Sequence, residues 1–142
     1  MNNVNISNIL MVVMAVIIVG LLLFFLKGFN DKKVADSMLG RKKIEYELNG
    51  KKLNLVVAEN AQEWHDGLMF VRKPVEFDGM IFRSQIPSVQ VFWNKNTYVD
   101  LDIYWLRKDK VIGESFLPSI EGGKLITVTS PGVVDTIIEV IR

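Results

Sequence analysis

The feature that limits this chain most is ILMVVMAVIIVGLLLFFL, Ile9 to Leu26, which runs for 18 residues without one polar side chain. As a helix it would measure about 27 Å, close to the hydrocarbon thickness of a bilayer at about 30 Å. A helix satisfies its own backbone in lipid, so length and apolarity together predict one transmembrane helix over 9–26. The rival is a cleaved signal peptide, which has a basic start, a shorter core and small residues ahead of the cut. MNNVNISN carries no Lys or Arg, and LFFLKGFN offers no small-x-small site, so the segment reads as an uncleaved anchor. Gly20 and Ala15 miss the small-x-x-x-small spacing, so nothing specific argues for helix pairing.

Charge divides what remains. Residues 1–26 carry no charged side chain, 27–43 carry a net +4, and 44–142 a net −3. The organisation expected is a tail (1–8), the membrane helix (9–26), a basic linker or frayed helix (27–43) and a folded body (44–142). Lys27, Lys32 and Lys33 suit anionic headgroups, at about 1 kcal/mol each. The body has no basic stripe, so nucleic acid is not an expected partner. There are no cysteines, hence no disulfide and no thiolate chemistry.

The body reads as β structure. KIEYELNGKKLNLVVAE places two alternating runs around Asn49-Gly50, a strong hairpin signal because both residues tolerate positive φ. Asn60 and Glu63 suit the start of a short helix carrying Trp64 and Leu68 on one face, with Gly67 ending it. A strand begins at Met80 and SQIPS breaks it. Further strands follow in VQVFW, YVDLDIYWL, VIGESFL, LITVTSPG and VVDTIIEVIR, separated by turns. At least six short strands with one short helix predict a mainly β fold, an antiparallel sandwich or barrel-like domain.

GLMF (67–70), DGMIF (78–82), FWNKNT (92–97) and LDIYW (101–105) resemble, in order and spacing, the motifs of the DUF192 family. The likeness covers about 53–142. It implies a β-sandwich that is often exported or anchored, with no agreed activity. Asn94 stands where that pattern usually has methionine, and Asp100 where it has proline. Val71 is an extra residue between Phe70 and Arg72. The chain ends at Arg142 without the helical segment many members carry, which would leave a more open groove. Family habit puts the domain outside the cytoplasm, whereas the basic collar, under the positive-inside rule, puts it inside. The expectation adopted is a single-pass protein of the cell membrane with an extracytoplasmic domain.

For chemistry, Trp93, Lys95, Asn96 and Asp102 are the candidate ligand-binding residues. If they converge, an aromatic wall beside an amide, an ammonium and a carboxylate suits a glycan or a peptide. The plainer reading has the asparagines as turn residues and Trp93 in the core. Asp100 and Asp102 then alternate into water, or Asp102 pairs with Lys95 across a hairpin. Catalysis has weaker support. His65 is the one histidine, no serine has a nucleophile-elbow setting, and the Asp100–Asp102 pair is the remaining case for a carboxylate-dependent hydrolase. No catalytic residue, metal or cofactor is assigned. Besides the bilayer, contacted through Ile9 to Leu26, the expected partner is an envelope glycan or peptide. The alternative is docking to another membrane or envelope protein through the edge strand TIIEVIR.

Overall fold

A computed structural model of the chain describes residues 6–142, with the side chains of 6–10, 27–37 and 39 outside the description. The chain divides into two compact units, one ending at Lys33 and the other running from Val34 to Arg142. Helix α1, Ile6–Leu39, continues through most of the stretch read as a linker or frayed helix. Its side chains from Met11 to Leu26 are exposed. Among the described residues no helix is long and apolar enough to cross a membrane. Ile9 and Leu10, where the expected span begins, lie outside the described side chains, as does the whole of the expected tail. Met38, at the helix's far end, is buried within the core of the second unit.

That second unit is mainly β. Strands β1 (Lys43–Leu48) and β2 (Lys51–Ala58) form the expected hairpin, and Asn49 and Gly50 both take positive φ at its tip. Helix α2 (Ala61–Asp66) follows. Asn60 caps it by accepting the Glu63 N–H, and the Glu63 carboxylate accepts the Glu59 N–H. Then come β3 (Gly79–Ser88), β4 (Val91–Trp93), β5 (Leu101–Arg107), β6 (Lys110–Leu117), β7 (Thr127–Thr129) and β8 (Val134–Ile141). Six of these make one sheet in the order β1-β2-β3-β8-β5-β6, while β4 and β7 make a separate ribbon.

Three expectations need correction. The sheet is mixed, because β2 and β3 run parallel. The chain between them makes a long excursion that includes α2, and a crossover of that kind returns a strand in the same direction. No barrel closes among the described residues, since β1 and β6 stand at opposite ends of the sheet order. And SQIPS does not end the strand begun at Met80. It is absorbed as an irregularity between Arg83 and Ser88, after which pairing with β8 resumes.

Strand β8 lies between β3 and β5 and is paired on both sides, so TIIEVIR offers no free edge. Period-2 alternation assigns the sheet's two faces. Val56, Phe82, Ile103 and Ile137 join Trp105 in one cluster, and Leu55, Ile81, Leu106 and Ile138 form the other. The first face is the covered one. Phe92 of β4, Val128 of β7 and Trp64 of α2 pack onto it. Phe82 takes Trp64 and Phe92 edge-on at 5.4 and 5.1 Å between centroids, and Phe92 meets Trp105 at 5.7 Å. Each such pair contributes about 1 kcal/mol beyond simple burial. This aromatic chain fixes both the ribbon and α2 above the sheet.

Candidate functional site

Between those covering elements and the sheet lies a cavity of about 240 Å³. Trp64, His65, Asp66, Gly67, Leu68 and Met69 form one side, Gln90 to Trp93 and Thr97 another, and Glu139 the floor. Glu139 shares its phase with Ile137 and Ile141, so its side chain points into the covered face. It sits opposite Met80 of β3 and Ile103 of β5. Only 4% of the residue is exposed, and its Oε2 is buried without a hydrogen-bond partner. Burial alone pushes its carboxyl up to about 8, so the acid is mostly protonated at neutral pH.

Two glycines make this arrangement possible. Gly67, just after α2, has φ 48° and ψ −128°, a backbone state that a side chain resists. There it passes close to Glu139, with space for a Cβ only 3.6 Å from Oε2. Gly79 opens β3 against β8 so closely that a Cβ would fall on the Glu139 carbonyl. The glycines of GLMF and DGMIF therefore both serve the surroundings of one residue.

On the rim, His65 Nδ1 and Gln62 Nε2 lie 3.0 and 2.9 Å from Asp66 Oδ1. Burial pushes the Asp66 carboxyl up, but these hydrogen bonds and the nearby charge of Arg41 outweigh it and hold it below its usual range. His65 also meets the Trp93 ring edge-on at 6.0 Å. Among the described residues no Lys or Arg lines the cavity. Among the described residues no group of three or more His, Cys, Asp or Glu could hold a metal ion.

Of the four residues picked from the sequence, Trp93 lines this cavity and is 40% exposed. Lys95 stands over the Trp93 ring, 5.2 Å from its centroid. Asn96 has φ 54°, and its carbonyl accepts the Phe70 N–H at 2.8 Å, tying FWNKNT to GLMF. Asp102 is not with them. It alternates with Leu101 and Ile103, which face the covered cluster, so it lies on the sheet's other face. It borders a separate cavity there and pairs with Arg142 at 2.8 Å, not with Lys95. Asp100 lies just before β5, and its Oδ1 accepts the Ser119 N–H at 2.7 Å, so the two aspartates are engaged by different partners.

Asn94, read as a turn residue, does bond backbone, but of a distant segment. It is fully buried; its Nδ2 donates to the Pro118 and Lys124 carbonyls and its Oδ1 accepts the Ile126 N–H. It fastens the 118–126 segment beneath the ribbon. The feature missed from the sequence was Glu139. Its signal was available: one acidic residue at an inward phase of an otherwise apolar strand, IIEVI.

The DUF192 family model, described as an uncharacterised protein family, matches residues 44–141. No curated protein matches the sequence. A crystal structure of a proposed transcription regulator from Sinorhizobium meliloti is similar over 65% of this chain and 70% of its own, with 23% identity and a TM-score of 0.56. A protein of unknown function from Novosphingobium aromaticivorans is similar over 72% and 82%, with 20% identity and a TM-score of 0.53. At those identities the likeness concerns the fold.

Proposed function

This chain belongs to the DUF192 family, and we propose that it is a membrane-tethered, non-catalytic binding module for an envelope ligand, a glycan or a peptide. The anchor is Ile9 to Leu26, and the β domain faces the extracytoplasmic side. The β4–β7 ribbon serves as the second layer of a small sandwich, and the ligand enters between that layer and α2.

The observation that carries the binding reading is the unpartnered Oε2 of Glu139 at the floor of an aromatic-walled cavity. A buried polar atom without a partner costs roughly 1–3 kcal/mol, so an occupant that bonds to it recovers that cost. Trp64, Phe92 and Trp93 supply apolar surface for a sugar ring or a side chain, while Thr97 and Gln90 supply polar groups. The anchor rests on the 18-residue apolar run and on the exposure of its side chains from Met11 to Leu26. Hydrolysis has less behind it, because Asp100 and Asp102 are each engaged by a different partner.

The test is titration of the full-length chain in detergent micelles with cell-wall glycan and peptide fragments, followed by tryptophan fluorescence. A saturable change that is weakened in Trp93→Ala is expected. An unresponsive protein, or a response untouched by that substitution, overturns the binding reading. Protease treatment of intact cells and spheroplasts tests the side. Cleavage of the β domain only after the membrane is broken overturns the extracytoplasmic placement.

A further inference from the structure

We infer that the cavity over Glu139 takes an alkylammonium group, with the Glu139 carboxylate as its counterion and the tryptophan walls around it. The inference rests on the binding reading above and names the chemistry of the ligand.

Three independent features point to a cation. The first is the floor, where Glu139 Oε2 is enclosed and has no partner among the described residues. A buried carboxyl group with no counterion among the described residues is complementary to a cation brought from outside. The second is the rim, where Asp66 adds a second carboxylate, held ionised by His65, Gln62 and the nearby charge of Arg41. The third is the wall, where Trp64, Phe92 and Trp93 offer the ring systems that attract ammonium groups, Trp most strongly. Trp93 already holds one ammonium over its ring, that of Lys95. Among the described residues the charge balance of the lining is one-sided, with two carboxyl groups and no Lys or Arg.

Proton linkage gives the inference a sign. Glu139 binds a cation in its ionised form, so the ligand must displace a proton. The groups facing Glu139 are few: His65 and Asp66 come from the α2 side, and β4 contributes only Gln90, Val91, Phe92 and Trp93. Its strand neighbours Met80 and Ile103 do not titrate. With the Glu139 carboxyl at about 8, its ionised fraction rises about tenfold between pH 7 and pH 9, and ammonium affinity rises with it. A neutral ligand that accepts the Glu139 proton in a hydrogen bond shows the opposite trend.

The probes are a short blocked peptide with a single lysine, the same peptide with that lysine Nε-acetylated, and n-butylammonium. Each is titrated against the full-length chain in micelles at pH 7 and pH 9 by tryptophan fluorescence. The expected result is that the lysine peptide binds, about tenfold tighter at pH 9, and the acetylated peptide does not. Glu139→Gln abolishes both the binding and the pH trend. His65→Asn keeps the trend, and Lys95→Ala tightens binding by removing a competing charge beside Trp93. Binding of n-butylammonium as well assigns recognition to the ammonium group alone. Binding of the lysine peptide only assigns it to a peptide-borne ammonium. Acetylated peptide binding as well as the lysine form, or affinity falling from pH 7 to pH 9, overturns the cation and leaves the binding reading standing. Silence towards all three probes and towards the glycan and peptide fragments overturns both. Undiminished lysine binding by a folded Glu139→Gln variant overturns the role of Glu139.

Discussion

Replacing Glu139 with glutamine removes a proton-binding group from the interior of the sheet while keeping its size and shape. The magnitude follows from its environment. The carboxyl moves from an ordinary 4.5 to about 8 on folding, driven by burial. An acid raised in this way holds an extra proton in the folded state, so stability is greatest below about 4.5. It declines as the pH climbs through the window up to about 8 and is level above it. Within the window the slope approaches 1.4 kcal/mol per pH unit, which amounts to about 3 kcal/mol between pH 5 and pH 8. Glutamine does not titrate. The Glu139→Gln protein should therefore lose this decline, and its advantage over the wild type should grow by about 3 kcal/mol from pH 5 to pH 8. The assay is urea denaturation of the full-length chain in micelles at unit pH steps, followed by tryptophan emission. All three tryptophans lie in the β unit, so the signal reports that unit alone. Any fixed difference from the glutamine amide cancels, because the read-out is the change with pH. Curves for the two proteins that stay parallel across the window would refute the claim that Glu139 is buried and uncompensated.

Three further substitutions probe the frame around the cavity. Asn94→Ala strands two carbonyls and one N–H beneath the ribbon, and should cost about 2–4 kcal/mol in the same denaturation assay. Gly79→Ala forces a methyl group onto the Glu139 carbonyl and should abolish the native near-ultraviolet dichroism, whereas Gly20→Ala, with nothing within 4 Å of the added carbon, should leave it unchanged. Asn96 holds φ at 54°, so Asn96→Ala should lower stability by about 1 kcal/mol while Asn96→Gly stays close to the wild type, as judged by thermal melting.

Local chemistry in the sequence was enough to place most of the elements. Asn49-Gly50 announced its hairpin because both residues accept positive φ, and Asn60 announced α2 because its side chain satisfies an otherwise orphaned N–H. What local chemistry does not carry is which distant strands meet. The parallel β2–β3 pair and the central place of β8 arise from how the connections pass over the sheet. That information is spread over the whole chain. The SQIPS segment fails for a related reason. Pro87 and the polar residues read as a break, yet an irregular strand tolerates them by shifting its register against β8 between Arg83 and Ser88.

The candidate site shows the same division more sharply. Trp93, Lys95 and Asn96 drew attention because polar residues cluster in one turn, and the turn does reach the cavity through Trp93. Asp102 looked like their companion only because it is close in sequence. Alternation with Leu101 and Ile103 sends it through the sheet to the opposite face, where Arg142 meets it. Glu139 was hidden in a strand weighed only as a docking edge, TIIEVIR. A charge in a turn costs a protein almost nothing, since water solvates it, so its presence there says little. A carboxyl at an inward phase between two isoleucines costs several kcal/mol to ionise and one to three to leave unbonded. Such a residue in the central strand of a six-stranded sheet leaves a polar atom that the fold itself carries at a cost and that a bound ligand could satisfy. On physical grounds IIEVI was the stronger pointer to a binding site than FWNKNT.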